Sequence, residues 1–326
     1  MKPRDSLEPE QIPQPMVGMK RVTVLGGDGF IGRHLVQRLA ARGMTIVVYA
    51  RHAGDALYLK PMGNPGQIVL ANGDIRDSRR VAAAITGSDG VINLVGILRE
   101  RGSQNFDGLQ RDGAALVAQA AKAAGVSRLI HVSAIGADAA SSSLYARSKG
   151  SGEAAIASHF PTVTVLRPSI VFGTEDQFFN RFATMAKLSP ILPIVGAATR
   201  FQPIYVGDVA DAIVAAFDSP TTMGKTFELG GPGIYSFRAL LDAMLAEIGI
   251  TRMVVDLPPV LASWIARLTA FLPEPPITLD QIRLLQRDNI VGADALTLAE
   301  LGITATPLEL ILPRQLTRFR RARKSG

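Results

Sequence analysis

Val22-Thr23-Val24-Leu25-Gly26-Gly27-Asp28-Gly29-Phe30-Ile31-Gly32 decides the fold of this 326-residue chain. A β-branched apolar run enters glycines at 26, 29 and 32, and Ile31, Leu35, Val36 and Leu39 then recur at helical spacing. Gly26 permits a tight turn, Gly29 lets the backbone approach a pyrophosphate, and Gly32 lets the helix pack closely on the strand. The amides of Phe30, Ile31 and Gly32 open the helix, where unpaired N–H groups favour phosphate. In this strand-turn-helix setting the glycine spacing predicts a dinucleotide site.

A site that prefers NAD(H) places a carboxylate about twenty residues beyond the glycines, against the ribose 2′-hydroxyl. Here the second strand ends in Tyr49-Ala50-Arg51-His52. The Arg51 guanidinium can pair bidentately with a 2′-phosphate, and Arg33 adds charge next to Gly32. The expected cofactor is therefore NADP(H), ahead of NAD(H).

Further along, apolar runs at 21–25, 45–49, 67–70, 90–95, 128–133 and 163–167 alternate with helix-period stretches. That rhythm predicts an α/β fold: a Rossmann-type, doubly wound parallel sheet of six strands, with a smaller C-terminal α/β lobe. The chain divides into an N-terminal tail (1–18), a dinucleotide-binding domain (19–175, its core extending to about 240 by a returning segment), the lobe (176–313) and a basic tail (314–326). Two helices of the lobe are expected at 237–247 and 261–272.

Composition excludes several chemistries. With no cysteine, the chain has no disulfide, thiolate metal site or thiol nucleophile, and four scattered histidines give no metal site. Residues 1–17 hold no signal-peptide core, and the apolar stretch 254–273 is too interrupted for a transmembrane helix. Six cations of the tail (Arg314, Arg318, Arg320, Arg321, Arg323, Lys324) account for most of the net charge of +7, so the body is nearly neutral and no nucleic-acid partner is expected. With Leu316 and Phe319 among them, these cations suit an anionic membrane surface. The stretch 261–272 brings Trp264, Ile265, Leu268 and Phe271 together; such stripes usually face inward, so a core helix is expected, with a membrane or partner surface as the other readings.

Tyr145-Ala146-Arg147-Ser148-Lys149 puts a tyrosine and a lysine on one helical face. With the glycine turn, Gly73-Asp74-Ile75 and Leu166-Arg167-Pro168, this makes the chain similar to the extended short-chain dehydrogenase/reductase superfamily over residues of about 20–240. The resemblance implies that Asp74 and Ile75 contact the adenine, that Leu94, Val95 and Gly96 line the ribose side, and that Pro168 and Ile170 sit near the nicotinamide. Lys149 would hold the nicotinamide ribose, its charge lowering the Tyr145 pKa from about 10 to make a tyrosinate base. Reductases of that superfamily carry a Ser or Thr just after the serine ending the fifth strand, where this chain reads Ser133-Ala134. Ala134 donates no hydrogen bond, which leaves Ser133 or the Ser141-Ser142-Ser143 loop to polarise a substrate. Loss of one such donor costs about 2.7–4 kcal/mol of transition-state stabilisation.

Finer segments narrow the resemblance: Leu59-Lys60-Pro61-Met62-Gly63, Asn93-Leu94-Val95-Gly96, Phe172-Gly173-Thr174-Glu175-Asp176, Gln202-Pro203-Ile204-Tyr205-Val206 and Leu301-Gly302-Ile303-Thr304. They resemble the NADPH-binding accessory subunits of respiratory complex I, in their bacterial form. That implies a structural nucleotide beside a vestigial Tyr145/Lys149 pair. It also implies other complex I subunits as partners, and a peripheral place on the cytoplasmic side of the inner (plasma) membrane. The alternative is an NADPH-dependent reductase or epimerase acting on an apolar, quinone-related substrate through Tyr145, Lys149 and Ser133.

Overall fold

A computed structural model describes residues 20–272 and 275–320. In chain order it forms β1 (Arg21–Leu25), α1 (Phe30–Ala41), β2 (Thr45–Ala50), β3 (Ile68–Asn72), α2 (Ser78–Ile85), β4 (Gly90–Asn93), α3 (Gly113–Ala123), β5 (Arg128–Val132), α4 (Leu144–His159) and β6 (Thr164–Pro168). Then follow β7 (Val171–Phe172), α5 (Phe178–Leu188), β8 (Ile191–Ile194), β9 (Arg200–Phe201), β10 (Ile204–Tyr205), α6 (Val206–Asp218), β11 (Thr226–Leu229), β12 (Tyr235–Ser236), α7 (Phe237–Ile248), β13 (Met253–Asp256), α8 (Pro259–Leu268), α9 (Leu279–Leu284) and α10 (Leu308–Gln315).

The central sheet is parallel throughout, in the order β11-β6-β5-β4-β1-β2-β3. Strand order reverses between β1 and β4, and a crevice opens beyond their carboxyl ends. The sheet has seven strands where six were expected. The extra one, β11, is contributed by the returning segment and sets Glu228 opposite Arg167 of β6.

Both faces are covered, as a parallel sheet requires. On one side, Val22 and Val24 of β1 pack with Leu35 and Leu39 of α1 and Val209 and Ile213 of α6. On the other, Leu25 meets Ile85, Val117 and Ile156 from α2, α3 and α4. The alternation within β1 is the period-2 pleat that its sequence encodes.

The lobe has its own core, in which Phe172, Phe179, Leu240, Met244 and Leu312 are buried. It is pinned to the sheet domain by Asp208 of α6, which accepts from Thr306 N (2.6 Å) and Thr306 Oγ1 (2.8 Å). Burial pushes the Asp208 carboxyl up, and Asp176, which accepts from Gly173 N, Phe179 N and Gln315 Nε2, is raised in the same way.

Two regions depart from expectation. The described part of the basic tail is packed: Leu316 is fully buried, Arg320 pairs with Glu247, and Lys187 and Arg318 flank the Phe319 ring. The stripe Leu308, Leu312, Leu316 continues the lobe core into it. Arg321, Arg323 and Lys324, like the N-terminal tail, lie outside the described residues. Helix α8, expected to face inward, turns its large residues outward: Trp264 is 58% exposed, Leu268 69% and the following Phe271 82%. Its buried side is Ala262 and Ala266, whose small side chains pack with Ile282 of α9 and Val195. No helix among the described residues is long and apolar enough to cross a membrane.

Candidate nucleotide-binding site

The glycine turn has the geometry that its spacing implies. Gly26 takes φ +74°, and its N–H donates to Tyr49 O at 2.9 Å. A Cβ on Gly32 would lie 2.5 Å from the backbone of Gly27, so α1 can sit this close to the turn only with glycine there. A Cβ on Gly29 would meet only Gly26 O, at 3.3 Å, leaving the exposed side open to a pyrophosphate. The α1 N-cap is Gly29, which has no side chain to cap the first-turn amides, and no acidic residue stands in that turn. These donors are thus available to a phosphate.

Beyond the turn, a shallow basin is lined by Arg51, His52, Asp74, Arg76, Arg80 and Gln104. Arg51 is exposed at the end of β2. Arg33 points elsewhere: its Nη1 pairs with Glu175 (3.1 Å) and its guanidinium lies over Tyr58. Arg33 therefore ties α1 to the segment after β7 instead of reaching the basin, because Glu175 offers a fixed carboxylate. Asp74 is engaged by Arg76, whose Nε and Nη2 approach at 2.8 and 2.7 Å, and this holds its carboxyl down to about 2. The Ile75 side chain is buried in the core, so it offers a ligand only its backbone.

Tyr49 was missed by the sequence reading. Its hydroxyl donates to Asp74 O at 2.9 Å and fills the space beside Gly73, where a Cβ would fall 2.2 Å from it. Burial, with Asp77 and Asp74 nearby, pushes the phenol up to about 12. A strand-end tyrosine among apolar residues gives no signal of this role.

Deeper in the crevice, α4 brings Tyr145 and Lys149 to one face. Lys149 is buried; its Nζ donates to Val132 O at 3.3 Å, and burial lowers it to about 8. Leu94 donates to Leu25 O, Val95 N donates to Asn93 Oδ1 (3.1 Å), and a Cβ on Gly96 would come 2.9 Å from Lys149 Nζ. The loop after β4 is thus held directly above the lysine. Tyr145 packs edge-on to Phe106 at 6.0 Å. Its phenol is not lowered by Lys149: burial pushes it up to about 12. Lys149 Nζ is turned to the Val132 carbonyl, and burial keeps the Tyr145 phenol protonated.

Ser133 and Ala134 follow β5 as read. Ser133 Oγ is buried without a protein partner, and so is Gln110 Oε1, whose amide nitrogen donates to Ser148 Oγ (3.1 Å) and Ile97 O (3.3 Å). Buried polar atoms left open beside Lys149 suit a ligand that brings its own hydrogen bonds. Gln110 lies in a π-helical turn, Asp107–Asp112, which no periodicity announces. The serine loop is otherwise engaged: Ser141 Oγ accepts from Ser143 N, and Ser143 Oγ accepts from Ala146 N. The Ser143 hydroxyl proton is committed to Asp280 Oδ2 at 3.0 Å, so Ser143 has no donor left to polarise a substrate.

Under the site lies a buried pair, Asn93 Nδ2 and His131 Nδ1, 3.2 Å apart. Burial and the nearby Lys149 lower His131 to about 3, keeping it neutral. Pro168 is buried at the end of β6, and Ile170 just beyond is half-buried, with its carbonyl accepting from Ile204 N. Arg167 bridges Glu153 of α4 (2.6 Å) and Glu228 of β11 (3.5 Å), so the seventh strand helps to fix the Tyr145/Lys149 helix.

The profile of a family described as NAD(P)H-binding matches residues 26–220. The mouse mitochondrial protein NADH dehydrogenase (ubiquinone) 1 alpha subcomplex subunit 9 is 37% identical over 307 residues, covering 91% of this chain and 80% of its own length. A ceramide reductase of Caulobacter vibrioides is 33% identical over 199 residues, 61% of each chain. Among solved structures, an NADPH-dependent quinone oxidoreductase of Escherichia coli complexed with NADPH superposes with a TM-score of 0.70 at 18% identity, covering 91% of this chain and 99% of that one.

Proposed function

This chain belongs to the NAD(P)H-binding family and, within it, to the family of complex I alpha subcomplex subunit 9, and on that premise we propose that it is an NADP(H)-holding accessory subunit of a respiratory complex I. It is the bacterial form, peripheral to the cytoplasmic side of the inner membrane, and its nucleotide is a structural ligand. The observation that carries this reading is the extent of the similarity, which runs past the nucleotide domain through the lobe. Arg51 at the end of β2, with no carboxylate in its place, supports NADP(H) over NAD(H).

The α1 amides would hold the pyrophosphate, Arg51 the 2′-phosphate, and Lys149 the nicotinamide ribose. A bound nicotinamide supplies hydride chemistry. The chain's own residues serve it poorly: Ala134 gives no donor, and burial makes the Tyr145 phenol a weaker acid than a free one. The test is affinity purification from native membranes with the bound nucleotide identified by mass spectrometry. Co-elution with the respiratory complex, carrying one NADP(H) per chain, is expected; a free pool without nucleotide would overturn it.

The retained Tyr145/Lys149 pair and the ceramide reductase relative favour a second reading, NADPH-dependent reduction of an apolar carbonyl compound. It requires NADPH turnover that Tyr145→Phe abolishes.

A further inference from the structure

We propose that Asp280, on α9 of the lobe, is a positioning residue for the Tyr145/Lys149 helix, and that through it the α8–α9 unit sets how Tyr145 stands over the crevice. The first four N–H groups of a helix have no partner within it. In α4 these are the amides of residues 143–146: Ser143 N donates to Ser141 Oγ and Ala146 N donates to Ser143 Oγ. The remaining two amides go to the lobe. Leu144 N donates to Asp280 Oδ1 at 2.6 Å and Tyr145 N to Asp280 Oδ2 at 3.0 Å, while the Ser143 hydroxyl donates to the same Oδ2 at 3.0 Å. A negative charge there also matches the helix dipole. The cap of the helix that carries Tyr145 is thus split between local serines and a carboxylate 135 residues away.

The contact is one face of a longer grip. Arg283 Nη1 donates to Ser142 O at 3.3 Å, and Arg287 lies 3.9 Å from Asp138, so residues 280, 283 and 287 bear together on the loop joining Ser133 to Tyr145. On its other side α9 places Ile282 against Ala262 and Ala266 of α8. The α8–α9 unit is therefore a plate with its inner face on the Tyr145 loop and its outer face uncovered. Anything that displaces the plate removes the acceptor from the Tyr145 amide, and the local serines cannot replace it.

Hydrogen exchange followed by mass spectrometry tests this. In Asp280→Ala, peptides covering residues 138–150 should exchange about tenfold faster or more, while those covering 20–40 keep the wild-type rate. Asp280→Asn, which keeps one acceptor oxygen, should fall between, and Asp280→Glu should restore much of the protection. A control at the far end of the segment, Asp288→Ala, breaks the pair with Arg200 and should leave residues 138–150 unchanged. A second readout is the Tyr145 phenol, followed at 295 nm against Tyr145→Phe: its titration should move down from about 12 in Asp280→Ala as water reaches it, and return towards the wild-type value in Asp280→Glu, a rescue that general loosening would not give. Wild-type exchange in residues 138–150 of Asp280→Ala, or equal acceleration in 20–40, would overturn the proposal. The inference rests on the nucleotide reading only for the crevice that Tyr145 faces; a chain without nucleotide would end that reading while the exchange data still decide this one.

Discussion

Lys149 and His131 are both buried, the lysine's charge is felt by the imidazole, and burial lowers both. Lys149 is held at about 8, so it carries its charge in the free protein only below that value. A dinucleotide that binds the ammonium form draws a proton on, and affinity is fully present at low pH and lost as pH rises through about 8. NADPH dissociation constants measured between pH 6.5 and 9.5 should climb above pH 8 by up to tenfold per unit, a dependence absent from Lys149→Gln. If the variant keeps the slope, another group is responsible. His131 is lowered to about 3 against about 6.5 in an unfolded chain, so between those values the unfolded state binds the extra proton. Its contribution to stability is complete above pH 6.5 and declines as pH falls towards 3. Urea midpoints should drop through that window in the wild type and less steeply in His131→Gln. Arg51 is exposed and free to meet a 2′-phosphate; Arg51→Ala should weaken NADPH binding about ten- to a hundredfold and leave NADH binding nearly unchanged, measured by fluorescence titration. Equal losses for both would remove the 2′-phosphate from its role.

Among the elements, the β1–α1 unit was the most legible because everything it needs is local. Strand, turn and helix are one continuous stretch, Arg21 to Ala41, and Gly32 must clear the backbone of Gly27 whatever the rest of the chain does. Gly32→Ala should therefore cost about 1–3 kcal/mol or more in denaturant titrations and release nucleotide, whereas Gly54→Ala, with open space around it, should be near neutral. Matching effects at the two positions would mean that close packing is not what Gly32 provides. Elements defined by distant partners were less legible. β11 is a four-residue strand whose place follows only from pairing with β6. The outward turn of α8 was misread because its period marks an apolar side without saying which side is covered; Ala262 and Ala266, small enough to admit α9, settled it. Gln110, Tyr49 and the Asn93–His131 pair escaped for the same reason: each acts through a contact made after folding.

At the scale of the molecule, the lobe and the dinucleotide domain are joined at separate places: Asp208 to Thr306, and Asp280 to the start of α4. Cross-links of this kind make the two parts one cooperative unit, so a ligand confined to the sheet's crevice should also stabilise the lobe. A nucleotide present at a hundred times its dissociation constant adds about 2.7 kcal/mol to the native state. The chain carries its single tryptophan, Trp264, on α8 of the lobe, far in sequence from every residue assigned to the nucleotide. Trp264 emission and anisotropy thus report the lobe, while helical circular dichroism reports the whole. In thermal scans the two signals should share one transition, and NADPH should raise both by the same several degrees. A Trp264 transition that stays in place while the circular dichroism midpoint rises would mean that the lobe unfolds by itself, and the coupling through Asp208 and Asp280 would then be too weak to carry information between the crevice and the outer face of α8.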